Sequence, residues 1–214
     1  ENTHNFGGGT VQPLEEIKAL RKGADEIGVA LHLDGARIWN AHVASGVAFN
    51  EYGKYFDTIS VCLSKGLGAP IGSVMLSTKE RVTKARVWRK RYGAGMRQVG
   101  ILAAAGHYAL DHNIAPLAED HRRAKEIAVA IASVNSSLID PSTVETNIVG
   151  LDLASLPITA AEFKTLLSAT NIAICPIAIK IATTNGATKT NPTMPDPLSD
   201  TNSLRLRDTS ESTC

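Results

Sequence analysis

Residues 60–76 read SVCLSKGLGAPIGSVML. A β-branched, apolar run ends on Lys65, and Gly66, Gly68, Pro70 and Gly72 then keep side-chain bulk low. The pattern predicts a buried strand in DTISVCLSKG, a turn, and another strand in GSVMLST. A lysine at such a strand end has two readings. It can snorkel to water from the tip of a strand leaving the core. It can also hold an amine at the floor of a cleft for covalent chemistry.

Upstream, PLEEIKALRKGADEIG places Leu14, Ile17, Leu20 and Ala24 at helical spacing, after a glycine loop, FGGGTVQP, expected to be flexible. VALHLDGAR reads as a short strand with Asp34 at its end, and IWNAHVASG as a short helix. Downstream, KERVTKARVWRKR predicts a basic helix closed by the glycines of YGAGMRQ. The Ala-rich MRQVGILAAAGHYALDH predicts a helix buried on most sides, and a long amphipathic helix follows over 114–135. Residues 145–153 and 171–182 read as strands around a helix near 159–169. The polar segment from Thr183, rich in Pro, Asn, Ser and Thr, is expected to be a flexible tail. The expected division is therefore 1–115 in a large α/β domain, 116–182 in a small α+β domain, and 183–214 in the tail.

Bulk properties narrow the function classes. The chain has 214 residues, 43% hydrophobic and 20% charged, with a formal net charge of +1. Such a length buries a sizeable core. The near-neutral balance gives no electrostatic case for nucleic acid or an anionic membrane, and no apolar run is long enough to span a bilayer. Cys62, Cys175 and Cys214 have neither pairing nor metal-ligand spacing, which points to a reducing, intracellular compartment. No metal site is expected. The chain opens at Glu1 with ENTHNFGGGT and without an initiator methionine, and is expected to be the middle of something longer.

Asp34 and Lys65 both follow apolar runs and both precede glycine, at strand ends where open α/β sheets place ligands. An acid and an amine on neighbouring strands also make a simple salt bridge, so composition must decide. Burial disfavours an ammonium and leaves free amine for carbonyl attack. Arg37 adds a planar fork suited to a carboxylate or phenolate oxygen. Lysine, aspartate and arginine together match the needs of a pyridoxal phosphate (PLP) site: a Schiff-base lysine and a carboxylate for the pyridine nitrogen. An ion pair near 4 Å at an effective dielectric of 20 is worth roughly 4 kcal/mol. Before desolvation costs, that raises a ring nitrogen's pKa by up to about three units.

A second basic cluster surrounds the glycine turn. Lys90 flanks it and Arg97 falls in the first turn of the next helix, a setting for a phosphate. Arg86, Arg89 and Arg91 read as a solvated helix face. His32 shares a strand face with Asp34 and is either a neighbour of the site or packed. His4 lies in a polar stretch, while His42, His107, His112 and His121 lie on helices and read as surface or packing residues.

ENTHNFGGGTVQPLEEI, HLDGARIWNA, CLSKGLGAPIGS and WRKRYGAGMRQVGILAAAGHYAL together resemble the L-threonine aldolase family of fold-type I PLP enzymes. The resemblance is close over residues 1–125 and looser to 182. It implies part of a fold-type I large domain with a mostly parallel sheet, followed by a small α+β domain. It implies Lys65 as the lysine that carries the cofactor, Asp34 as partner of the pyridinium nitrogen, and Arg37 as a contact to the phenolic oxygen or substrate carboxylate. Lys90 and Arg97 match positions near the cofactor phosphate, reaching across a subunit interface. The activity implied is retro-aldol cleavage of L-threonine or L-allo-threonine to glycine and acetaldehyde, in a cytoplasmic homo-oligomer, commonly a tetramer.

The match has limits that are expectations in themselves. The family's phosphate-binding loop and ring-stacking histidine lie upstream of its ENTHN motif and are not in this sequence. Ala94 replaces the middle glycine of the family turn, at a cost of roughly 1 kcal/mol if its φ is positive. The family's C-terminal arginine for the substrate carboxylate has only Arg205, or Arg207, as a counterpart, in the unmatched context LRLRDTS. Two alternatives stay open: a β-eliminating fold-type I lyase, and a non-catalytic scaffold subunit.

Overall fold

The computed structural model describes residues 1–169 and 178–182, and these form a mixed α/β fold. Arg205, Arg207, Cys175, Cys214 and the expected tail lie outside the described residues. The elements are α1 (Leu14–Glu26), β1 (His32–Gly35), α2 (Ile38–Ser45), α3 (Phe49–Gly53), β2 (Thr58–Cys62), β3 (Ser73–Ser77), α4 (Lys79–Arg91), α5 (Gly100–His112) and α6 (Leu117–Val134). A 3₁₀ turn (Pro141–Thr143), β4 (Ile148–Asp152), α7 (Ala160–Ala169) and β5 (Ala178–Ala182) follow. Helical spacing and β-branched runs foretold these elements except for α3 and the 3₁₀ turn, which are too short to show a period.

β1 and β2 run parallel with Asp34 opposite Ser60, and β3 joins β2 antiparallel with Ser60 opposite Met75. A two-residue hairpin cannot join the parallel pair, so α2 and α3 form its crossover. One core lies under this crossover, where Ile17, Leu33, Ile38, Ala41, Tyr52 and Val61 are buried together. A second, smaller core joins Leu63, Leu67 and Ala69 of the lysine turn to Ala109 of α5. A third packs Ala124 and Ala128 of α6 against Val149 and Leu151 of β4, which pairs in parallel with β5.

Several expectations fail on burial. β2 is only half-buried apart from Val61; β3, read from the sequence simply as a strand, has Val74, Met75 and Leu76 exposed. α5 is not buried on most sides: Ile101 is 83% exposed, and only Gly106 and Ala109 are buried. The reason is contact geometry, since just that narrow Gly106–Ala109 stripe meets the lysine turn. α5 also begins at Gly100, so Arg97 precedes the helix rather than lying in its first turn. The opening glycine loop is tied down rather than loose. Thr146 Oγ1 donates to the Gly9 carbonyl (2.7 Å), the Val11 amide donates to Glu145 (2.8 Å), and Gly9 is buried. In the basic turn the left-handed residues are Gly93 (φ 80°) and Gln98 (φ 51°); Ala94 is not among them and carries no such strain.

The sheet's other end is fixed by Asp57. Its carboxylate accepts from the Leu31 amide (2.9 Å), Arg21 (3.0 Å) and Arg81 (2.9 Å), joining α1, α4 and the chain entering β1. The Leu31 hydrogen bond first, then the two guanidinium groups, holds its pKa below the ordinary aspartate value. A depressed folded-state pKa gives stability that is complete above the unfolded value and lost as pH falls through the folded one. Asp57→Asn is therefore expected to lower the melting temperature at pH 7, with the gap to wild type closing below about pH 4. Thermal melts of both proteins across that range check this.

Candidate active site

Lys65 stands three residues past β2 on a turn that closes on itself. The Gly68 amide donates to the Lys65 carbonyl (2.9 Å), and Ala69 donates to the Leu63 carbonyl (3.0 Å). Leu63, Leu67 and Ala69 are buried while Lys65 is exposed. The turn thus points its apolar side chains inward and its amine out. Within this chain the lysine is exposed, where a buried one was expected. The glycines that follow it serve the backbone, since Gly68 has φ +81° and Gly72 φ +133°.

Asp34 lies one residue before the end of β1, also exposed, with Oδ1 accepting from the Ala36 amide (3.0 Å). That bond fixes the carboxylate plane. Gly35 must follow it, because a Cβ there would lie 2.6 Å from the Ser60 carbonyl of β2. Arg37, half-buried, opens α2. Among the described residues no ion pair joins Asp34 to Lys65, so the salt-bridge reading fails, and Arg37 is likewise unpaired. His32 faces the same side as Asp34 and bonds Thr58 Oγ1 (2.7 Å), orienting its ring along the sheet.

Cys62, at the end of β2, lies beside the lysine. Burial pushes its thiol up, but hydrogen bonds from Ser64 and Ser73 and the charge of Lys65 leave it below its ordinary value. Lys90 lies in the last turn of α4 and Arg97 on the link between α4 and α5, both exposed. The Lys90 side chain folds across Gly95, where a Cβ would come within 2.9 Å of its Cδ. No hydrogen bond or ion pair among the described residues joins Lys90 or Arg97 to Lys65, Asp34 or Arg37. Arg91 lies over the Trp88 ring at 4.9 Å, a cation–π contact rather than a purely solvated charge. A cavity of about 470 Å³ lies at the His32 end of β1, lined by Asn2, Gln12 and Leu33 among others, and contains none of the three site residues. Among the described residues no cluster of His, Cys, Asp and Glu could hold a metal ion, and no helix is long and apolar enough to cross a membrane.

Behind the turn lie residues the sequence did not single out. Asn40 of α2, buried, reaches His121 of α6 (3.0 Å) and Asn147 ahead of β4 (3.3 Å). Asn113, at the end of α5, donates to the Leu67 carbonyl (2.9 Å). Burial lowers the His121 pKa, so that ring is a packed, hydrogen-bonded group rather than a surface one. An asparagine inside an apolar helix pattern was the available signal.

Asp34 near the end of β1 and Lys65 just past the end of β2 thus lie at the same end of two parallel strands, where open α/β sheets place ligands. A family model described as Beta-eliminating lyase matches residues 1–154. The low specificity L-threonine aldolase of Escherichia coli K12 is 46% identical over 143 residues, covering 67% of this chain and 42% of the relative. Low-specificity L-threonine aldolase 1 of Arabidopsis thaliana is 41% identical over 153 residues, covering 72% and 43%. A solved Leishmania major threonine aldolase shares the fold, with a TM-score of 0.54 at 21% identity over 62% of this chain and 39% of that one. The chain belongs to the Beta-eliminating lyase family. It spans less than half the length of these relatives.

Two tests address the site directly. Gly35→Ala forces a Cβ against the Ser60 carbonyl and is expected to cost about 1–3 kcal/mol, read as a lowered melting temperature. Attraction between unit charges 4 Å apart falls from roughly 4 to about 1 kcal/mol when water replaces protein around them. With Asp34 and Lys65 both exposed, the 214-residue chain alone is expected to bind PLP weakly. Fluorescence titration checks that, and tight stoichiometric uptake would contradict it.

Proposed function

We propose that the complete protein bearing this chain is a PLP-dependent aldehyde-lyase that cleaves L-threonine and L-allo-threonine to glycine and acetaldehyde. The carrying observation is the pair Asp34 and Lys65, unpaired with each other and lying at the same end of two parallel, hydrogen-bonded strands, one inside β1 and the other just past β2. The donor set fits the cofactor: an amine for its aldehyde, a carboxylate oriented by the Ala36 amide for its ring nitrogen, and Arg37 for its phenolic oxygen or the substrate carboxylate. When bound, PLP supplies an electron sink for the pair released as the Cα–Cβ bond breaks.

The chain's own residues hold and orient. Lys65 would hold the cofactor through its side-chain amine. Asp34 keeps the ring nitrogen protonated, and Arg37 fixes a carboxylate or phenolate oxygen. Lys90 and Arg97 hold the phosphate, from a neighbouring subunit of a homo-oligomer, a tetramer. The exposed Trp88, Tyr92, Met96, Ile101 and Tyr108 around that link are the apolar surface such an assembly would cover. Arg205 is the proposed tail contact to the substrate carboxylate. We assign residues 1–115 to the edge of a mostly parallel large-domain sheet and 116–182 to a small domain. The separate core of α6 and β4 supports that division. Residues 183–214 remain a tail in this assignment, and the compartment is the cytoplasm.

The family model's own description favours a second reaction, β-elimination. One assay separates the two. With L-threonine, the aldolase reading expects acetaldehyde and glycine in equal amounts; with L-serine or L-cysteine, pyruvate release would mark β-elimination. Asp34→Asn is expected to lower the aldol rate on the order of 10²–10³-fold, the equivalent of about 3–4 kcal/mol. Wild-type rates in that variant would remove Asp34 from the site.

A further inference from the structure

A polar cluster, with Asn40 and Asn147 buried and His121 half-buried, lies directly beneath the residue after Lys65. A Cβ at Gly66 would come 3.1 Å from Leu117 Cδ2, 3.9 Å from Asn147 Nδ2 and 4.0 Å from Asn40 Oδ1. The floor of the turn is therefore one leucine and two amides, drawn from α2, α6 and the residue preceding β4. Asn40 Nδ2 has two hydrogens and two acceptors, His121 Nε2 at 3.0 Å and Asn147 Oδ1 at 3.3 Å. These contacts span 81 and 107 residues of chain. Buried amides cost free energy unless they are satisfied, and apolar side chains would fill such a floor without that cost. What the amides add is a fixed geometry.

We propose that Asn40, held between His121 and Asn147, is the positioning residue that sets the Lys65 turn, and that it does so only while the His121 ring is neutral. The inference rests on the reading of Lys65 as the cofactor lysine. Both Asn40 hydrogens are used only if His121 Nε2 offers a lone pair. A protonated ring presents N–H to N–H₂, the bond to Asn40 is lost, and the floor under Gly66 loosens. Burial already favours the neutral ring. The titratable groups nearest along the chain to the cluster's members are Asp120 and Arg122 on α6, His42 on α2, Glu145 ahead of β4, and Lys65 on the turn. None of them contributes to the lowered pKa of His121, whose cause is burial. Acid therefore acts on this device through the ring itself.

The test adds PLP to the complete apoprotein and follows covalent attachment at Lys65 by visible absorbance, across pH, with thermal melts alongside. His121→Leu and Asn40→Leu are expected to slow attachment about tenfold, the rate equivalent of one buried hydrogen bond, while each protein still melts cooperatively. His121→Gln supplies an acceptor that does not titrate; it should restore the rate and lessen the acid slowing of wild type, leaving only the part that any amine–aldehyde condensation shows. Wild-type rates in His121→Leu would overturn the proposal while leaving Lys65 intact. Equal slowing in His121→Leu and His121→Gln would also overturn it, since the ring would then serve only as packing. Absence of attachment in wild type would instead remove the cofactor reading itself.

Discussion

Everything proposed for this chain depends on one turn whose leucines are buried and whose lysine is not. Leu63 and Leu67 sit in the core against Ala109, and Leu67 is 1% exposed. Burying such a side chain is worth roughly 1.5–3 kcal/mol, so two of them anchor the turn against slippage. The backbone bonds from Gly68 to Lys65 and from Ala69 to Leu63 then close it. Lys65 cannot fold into the core without breaking them. Its amine is held at the end of β2, beside the end of β1 that carries Asp34.

Packing behind the turn is as constrained as its front is open. Gly66 lies against Leu117, a Cβ on Gly106 would lie 3.1 Å from Leu63 Cδ1, and Gly35 lies against the Ser60 carbonyl. Each glycine is needed for close approach, so small residues around the site reflect tight backing more than vacant space in front. The opposite end of the sheet is held by Asp57 and its two arginines. A sheet fixed at both ends sets the spacing between Asp34 and Lys65 without a direct ion pair. That leaves both charges available to a ligand.

Much of this was legible in the sequence because it lies in local pattern. Helical spacing in LEEIKALRKGADE and β-branched density in TISVC fixed those elements, and glycine after Asp34 and Lys65 marked the strand ends. Burial was not legible, because it depends on what faces an element. The Ala-rich α5 reads as core, yet its Ile101 and Tyr108 face solvent. The same blindness hid Asn40, His121 and Asn147, whose partners are 81 and 107 residues away. Only folding brings those amides beneath Gly66.

The central claim is that Lys65, and no other lysine, carries the cofactor. Borohydride reduction of the complete protein saturated with PLP, followed by peptide mass spectrometry, tests it most directly. The account predicts one phosphopyridoxyl group, on the peptide containing Lys65, absent from Lys65→Ala. Label on Lys90 or another lysine, or undiminished label in Lys65→Ala, would contradict it.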